Sequence, residues 1–537
     1  MATKDIKTKS TAGLLIIIVA AILIIINLIS LNIFSRADLT DENIYSLSDA
    51  SIDLVDNLND RLTVKAFVTE DLPAPHNNDE RYLKDLLDDY KAYSNGYLQY
   101  EFIDPVKTGR EDEAMGYRIP PVQFNVFRND KTEFIKGFKG VALIYGDKQE
   151  MIPFIENTNT LEYDLSSAIN KLSQARVPTI AFTTGHGEPD LSTGLSWANQ
   201  MLQKEYRVQF LNLNNQKYIP EQVEALFIVG PRQPFTDWEL YLIDQFVMRG
   251  GKVAFFIDKF DINVQQTMVT PIDYNLDSLL NSYGVGIMDN LIIDLQCNMV
   301  PIMRDMGEFK MQSIVNYPFY LAIGDFNQSN PIVKSLKTFN ILFANPLDLS
   351  YEIPNNTQRQ WLFRTSEQSG LRSLPIDISP EKKYFKEDFA NPHLPLAAVL
   401  SGHFDSYFND KIIPEYSGTD TITADTILPH LSSTDDSRMV VVGNGTFIRD
   451  DNKRNSTSFV ILMNIADWLT QDRGLIDIRS KQVGGRILKI TSGSTKQLVK
   501  YINMLAMPFV VVIFGIIRWQ FKRVSRKKRR TGGGEEA

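Results

Sequence analysis

The apolar positions of this chain follow three patterns: unbroken runs, spacing of three and four, and strict alternation. Two runs are unbroken. No residue from Ser10 to Ser35 is charged, and none from Tyr501 to Ile517. The first run spans 26 residues and contains LLIIIVAAILIII at Leu14–Ile26. At 1.5 Å per helical residue it is long enough for a hydrocarbon core of ~30 Å. A cleaved signal peptide would have a shorter apolar core followed by a small-residue cleavage site. The stretch Asn27–Phe34 has no such site, so a retained helix is predicted. The second run spans 17 residues, with Tyr501 and Trp519 at its ends as interfacial aromatics and Pro508 inside it. Transmembrane helices are predicted at 12–34 and 499–519.

Between them, spacing and alternation take turns. Ile52, Val55 and Leu58 share one helical face, as do Leu83, Leu86, Leu87 and Tyr90, the latter helix ending at Asn95-Gly96. Thr63–Thr69, Leu98–Ile103 and Val122–Arg128 read as strands. Val141–Tyr145 and Gln149–Phe154 flank Gly146-Asp147 as a hairpin, and Leu161–Ser173 closes the unit as a helix. This order resembles the thioredoxin-like fold, in which a redox motif follows the first strand and a cis-proline precedes the third. Pro121 takes the proline position, and Glu70–Asn78 fills the motif position without a cysteine. Redox chemistry needs a thiolate, so residues 36–175 are expected to be a redox-dead scaffold.

From Val177 the pattern becomes strand and helix in alternation. Thr179–Thr184, Val208–Leu213, Leu226–Gly230 and Lys252–Asp258 are apolar runs with helical segments at Ser196–Tyr206 and Thr236–Arg249 between them. That is the signature of a parallel sheet covered on both faces. Leu276–Tyr283 and Asp289–Asp294 are read as its continuation. The signal weakens from about 297 to 436, where a β-rich insertion is expected. It resumes with the strand Met439–Gly443 and the helix Ser458–Leu469. The domain therefore covers 176–473, and 474–498 is a linker.

Charge fixes the orientation. Lys4, Lys7 and Lys9 precede the first run, and eight basic residues lie between Arg518 and Arg530. The positive-inside bias places the tails 1–11 and 520–537 in the cytoplasm, beside anionic lipid. The region between the runs is acidic: residues 36–500 carry 45 basic and 62 acidic side chains. Such a surface does not bind phosphate backbones, so no nucleic-acid partner is expected. The single cysteine, Cys297, excludes an intrachain disulfide and a cysteine-based zinc site.

The sharpest local feature is TTGHGEPD at Thr183–Asp190, directly after a strand. In open parallel sheets ligands bind outside the carboxyl ends of the strands. Gly185 and Gly187 allow positive φ or close approach; His186, Glu188 and Asp190 supply polar groups. A tight strand-to-helix turn, a ligand contact and acid–base catalysis all fit this pattern. The candidate ligand-binding residues are thus Gly185, His186, Gly187, Glu188 and Asp190. No catalytic set and no metal signature is assembled, and no cofactor is expected. Cys297 reads as a small packed side chain rather than a nucleophile. There is no G-x-x-x-x-G-K-[ST] and no G-x-S-x-G.

The amino-terminal run, the TTGHGEPD block, the strand-loop VVGNGTFIRD within Val440–Asp450 and the helix FVILMNIADWL together resemble the gliding-motility-associated ABC-transporter auxiliary family, GldG, of Bacteroidetes. The resemblance implies an inner-membrane subunit partnered by an ABC permease and a separate ATPase; with two spans, no P-loop and no catalytic set, the chain is expected to be non-enzymatic, its outer domain binding a ligand or envelope partner. It places the chain in the bacterial inner membrane with both termini cytoplasmic and a large periplasmic domain. It also implies a middle domain distantly like glutamine-amidotransferase folds, but Gly185-His186-Gly187 stands at the strand end where those enzymes carry a cysteine. The expected fold class is α/β: an extracytoplasmic thioredoxin-like domain plus a flavodoxin/amidotransferase-like parallel-sheet domain with an insertion, flanked by two transmembrane helices. A structural envelope scaffold and a hydrolase or amidotransferase-like enzyme are the alternatives.

Overall fold

Leu62, Val64, Ala66 and Val68 point to one side of their strand and Phe67 to the other, and both sides are buried. This alternation sets the first layer of the computed structural model. It describes residues 46–470 except 71, 75, 129–130, 157, 174–175, 306–309, 335, 417–427 and 453–455; beyond 470 it describes only 500, 504, 514–515 and 518–519. The expected span 12–34, the linker and both tails lie outside the described residues, and 499–519 does so for the most part. Among the described residues no helix is long and apolar enough to cross a membrane.

The first sheet has the order Leu98–Ile103, Leu62–Val68, Lys139–Tyr145, Lys148–Ile152. The first pair is parallel and the others antiparallel. Apolar faces of Asp79–Tyr93 and Leu161–Ser173 cover one side through Leu83, Leu87, Leu165 and Ile169. Ser48 caps the preceding helix, Asp49–Asp56, and is held in turn by Glu162, which accepts from Ser48 N at 2.7 Å and Ser48 Oγ at 2.8 Å. Pro121 does not play the part its position suggested. Among the described residues the only cis peptide is Leu374-Pro375. The strand after Pro121, Val122–Arg128, pairs with Lys131–Gly137 in a separate hairpin, and the sheet is continued by Lys139–Tyr145 instead.

The second sheet has eight strands. Their order is Asp325–Phe326, Thr357–Arg364, Pro395–Asp405, Ser433–Val442, Lys252–Phe256, Val223–Val229, Thr179–Thr183, Arg207–Leu211. The last five are mutually parallel and the first three antiparallel. Thr179–Thr183, Val223–Val229, Lys252–Phe256 and the end of Ser433–Val442 are buried on both faces because helices cover both. Ala254, Phe256, Val440 and Val442 meet the side of Ser196–Leu202 and Ser456–Thr470. Val253, Phe255, Met439 and Val441 meet that of Asp237–Met248 and Asp277–Ser282. Leu291–Asp294 does not join this sheet: it pairs with Ser369–Arg372, and the hairpin Cys297–Asp305 with Lys310–Ile323 lies between the two in the chain. Within 297–436 the strands Thr357–Arg364 and Pro395–Asp405 extend the main sheet.

The order of the parallel strands creates a reversal. The chain goes from Thr179–Thr183 outward to Arg207–Leu211, then returns to Val223–Val229 on the other side. Outside the carboxyl ends of these strands lies the crevice where open α/β sheets bind ligands.

Candidate functional site

Two loops meet at this reversal. After Thr183 the chain enters Gly185 at φ 115°, where a Cβ would stand 3.1 Å from the Asn212 side chain. Gly187, at φ 77°, lies under Arg232, whose Cβ would be 3.2 Å from an added methyl. Both glycines answer a need for left-handed backbone in tight space. Between them His186 turns inward and is 7% exposed. Its carbonyl accepts from Arg232 N at 2.7 Å and Gln233 N at 3.0 Å, which ties the loop after Thr179–Thr183 to the loop after Val223–Val229. The two loops are thereby joined at the reversal, with the His186 side chain buried there.

The imidazole is clamped. It stacks on Phe235 with ring centres 3.9 Å apart. Nε2 lies 3.1 Å from Glu239 Oε2, and Nδ1 lies 3.5 Å from Glu188 Oε1. Glu188 Oε2 also accepts from His186 N at 2.6 Å. Glu239 is the third residue of Asp237–Met248; its Oε2 accepts from Thr236 N at 2.8 Å while its N–H donates to Thr236 Oγ1 at 3.3 Å, a capping box, and the Thr236 hydroxyl also donates to Oε2 at 2.9 Å. One carboxylate oxygen thus starts a helix and holds the histidine. Burial alone would lower the His186 pKa, but the carboxylates of Glu188 and Glu239 outweigh it and push it up to about 9. Burial would raise both glutamates; the hydrogen bonds from His186 and from backbone N–H groups instead hold them below the usual carboxylate range. The group carries a protonated imidazole between two carboxylates, so its chemistry is that of an internal ion cluster.

Of the five candidates, His186 and Glu188 converge, and Gly185 and Gly187 shape the turn. Asp190 stands apart: it is exposed and accepts from Ser192 N at 2.6 Å and from the Ser192 hydroxyl, which lowers its pKa. Sequence reasoning missed Glu239, Phe235 and Arg232. The pattern Thr236-Asp237-Trp238-Glu239 before an apolar run was a legible capping signal, but nothing in it pointed to His186. Cys297 is half-buried, and burial followed by the nearby Asp294 raises its pKa, which suits an inert thiol.

A second polar group sits one crevice further along the same edge. Asp258 follows Lys252–Phe256 and is 8% exposed. Its Oδ1 accepts from Gly445 N at 2.8 Å. A Cβ on Gly445 would lie 2.9 Å from Asp258 Oδ2, Gly230 Cα and Phe256 O, so only glycine lets the three strand ends approach. Burial pushes the Asp258 pKa up to about 6, with the Gly445 N–H, Arg232 and Arg449 opposing. The folded state therefore binds the proton more tightly than the unfolded chain, and the stability this gives is lost as pH rises from 3.8 to about 6. Asp258→Asn keeps the acceptor without the charge. It is expected to raise the unfolding free energy at pH 7 by roughly 1–3 kcal/mol and to be neutral below pH 4, read from urea unfolding at the two pH values. Among the described residues no group of three or more His, Cys, Asp or Glu is placed to hold a metal ion.

Residues 177–464 match the family described as ABC-type uncharacterized transport system, and residues 41–144 match a domain of unknown function, DUF7088. An uncharacterized protein of Borreliella burgdorferi is 24% identical over 527 residues, covering 92% of this chain and 95% of its own. The mmIFT52 N-terminal domain aligns with 54% of this chain and 97% of its own at 15% identity and a TM-score of 0.33. The exo-beta-1,4-mannosidase Op5Man5 from Opitutaceae bacterium strain TAV5 aligns with 60% of this chain and 41% of its own at 13% identity and a TM-score of 0.24. Both structural likenesses are too low to support an argument about fold or function.

Proposed function

The chain belongs to the ABC-type uncharacterized transport system family, and on that premise we propose that it is a non-enzymatic auxiliary subunit of the GldG kind. The family makes it an auxiliary component of an ABC-type transport system. The observation that supports the non-enzymatic reading is the clamp: at the reversal, where a ligand or substrate would enter, the His186 carbonyl is held by the Arg232 and Gln233 amides and its imidazole by Glu239. Its imidazole is stacked on Phe235 and bonded to Glu239 at Nε2, with Glu188 3.5 Å from Nδ1, a poor state for a general base.

In this reading the subunit is held in the bacterial inner membrane by the spans 12–34 and 499–519, with both termini cytoplasmic and the bulk of the chain in the periplasm. It serves a gliding-motility transporter with a permease and a separate ATPase. The absence of a P-loop sequence accords with that division of labour. The strand order of the first sheet supports a thioredoxin-like domain, and the 2-1-3-4-5 order of the parallel strands supports a flavodoxin-like one. An envelope ligand touching the carboxyl edge would meet the exposed Gly185, Gly187 and Asp190, with His186 and Glu188 as struts behind them.

The test is affinity purification of the full-length chain in mild detergent with mass spectrometry of what accompanies it. Recovery of a multi-span permease and a P-loop ATPase is expected. Recovery with wall or motility components alone would replace this reading with a scaffold.

A further inference from the structure

A cleft of about 560 Å³ lies between the first sheet and the helices Ser196–Leu202 and Ser456–Thr470. Its apolar lining includes Trp197, Met201, Phe459 and Met463; Trp197 is 40% exposed and meets Phe459 edge to face at 5.9 Å. Residues 150–154 form the opposite lining, so the cleft runs along the edge strand Lys148–Ile152.

Among the described residues that strand has one neighbour in its sheet and an open side. Thr69 N donates to Phe138 O at 3.0 Å, and Ile155 N to Lys139 O at 2.8 Å. The peptide groups of Lys139–Tyr145 therefore alternate, with Lys139, Val141 and Leu143 facing Lys148–Ile152. In the register Leu143 opposite Glu150 and Val141 opposite Ile152, the peptide groups of Gln149 and Met151 point outward. An open strand edge is a template for another strand. This one is lined with apolar side chains from helices across the cleft, the arrangement that recognises an extended peptide.

Charge narrows the occupant. The lining holds the carboxylates of Glu150, Glu156, Asp164 and Glu205 against Lys171 and Lys204. Lys171 is already engaged with Glu150 at 2.9 Å. Burial raises the Asp164 pKa, the Thr160 hydroxyl and Lys204 oppose it, and Glu156 adds to it, so this carboxyl gains from a further cation.

We propose that the cleft binds an extended segment of a partner protein, which pairs with the outward edge at Met151, lays apolar side chains on Trp197 and Met201, and directs a Lys or Arg towards Asp164 and Glu156. The inference rests on the cleft alone and stands or falls apart from the transport-system reading.

To test it, a display library of random nine-residue peptides is panned against the full-length chain, and enriched peptides are synthesised. The expected peptides alternate apolar residues with Lys or Arg, bind more weakly as salt rises, and slow hydrogen exchange at the Met151 amide. Met151→Pro removes the outward donor without breaking a bond to Lys139–Tyr145, and Trp197→Ala removes part of the floor. Each should weaken binding at least tenfold while unfolding stays cooperative. Failure to enrich, acidic peptides, or peptides that bind both variants as well as the parent would overturn the proposal. So would a concentration-dependent dimer abolished by Met151→Pro, which would make a second copy the occupant.

Discussion

Glu239→Ala is expected to lower the unfolding free energy at pH 6 by roughly 3 kcal/mol, as breaking one side of a buried ion pair does. The substitution leaves His186 with Glu188 alone, at 3.5 Å, and removes the acceptor of Thr236 N and Thr236 Oγ1. Glu239→Gln keeps an oxygen for Thr236 but not the charge, so it should fall between the parent and Glu239→Ala. The loss is pH-dependent, and its sign follows from the three groups. His186 has its folded-state pKa raised from 6.5 to about 9, so its stabilisation is full below 6.5 and is lost as pH rises to about 9. Glu188 and Glu239 are lowered from 4.5, so theirs is present above 4.5 and lost as pH falls. The gap between parent and variant in urea unfolding should therefore be widest from about pH 4.5 to 6.5 and narrow on both sides.

Asp244→Ala should cost more, roughly 4 kcal/mol. Asp244 is fully buried within Asp237–Met248. Its carboxylate accepts from Tyr283 Oη at 2.8 Å, Ser406 Oγ at 2.6 Å, Tyr407 N at 2.8 Å and Gln245 Nε2 at 3.0 Å. These donors come from three separate stretches of chain, so one side chain joins the helix to the segment after Asp277–Ser282 and to the end of Pro395–Asp405. Alanine orphans several buried donors at once, each worth about 1–3 kcal/mol. Asn keeps one acceptor and should lose less. Thermal unfolding of both variants beside the parent reads the difference. A loss under 1 kcal/mol for Asp244→Ala would mean that water replaces the carboxylate and that the join is loose.

The elements were legible where burial imposes a period. Ala225–Val229, Val253–Phe256 and Met439–Val442 are apolar throughout because helices cover both sheet faces, and that signature survives in the sequence. Asp79–Tyr93 announced itself by the three-and-four spacing of Leu83, Leu86, Leu87 and Tyr90. Long-range pairing left no such trace. Leu291–Asp294 has the composition of a central strand, yet its partner is Ser369–Arg372, more than seventy residues on. Pro121 fitted an element order, but the inserted hairpin Val122–Arg128 with Lys131–Gly137 moves the following sheet strand to Lys139.

The site divides in the same way. Gly185-His186-Gly187 stood out because glycine at a strand end marks unusual backbone, and two positive φ values bear that out. What the histidine does depends on Glu239, 53 residues away, which reaches it only because the strand order reverses between Thr179–Thr183 and Val223–Val229. Asp258 was hidden for a similar reason. Its environment is made by Gly230 and Gly445, at the ends of two strands far apart in the chain.

His186 stands at the reversal as a charged strut between Glu188 and Glu239. The most direct measurement is an NMR pH titration of the full-length chain with labelled histidine, which has only five such residues, alongside His186→Gln to assign the resonance. The signal missing from the variant is expected to titrate near pH 9 and not to shift below pH 7. A midpoint at or below 6.5 would contradict it: burial would then outweigh the two carboxylates, and the imidazole would be neutral at pH 7 rather than a charged strut.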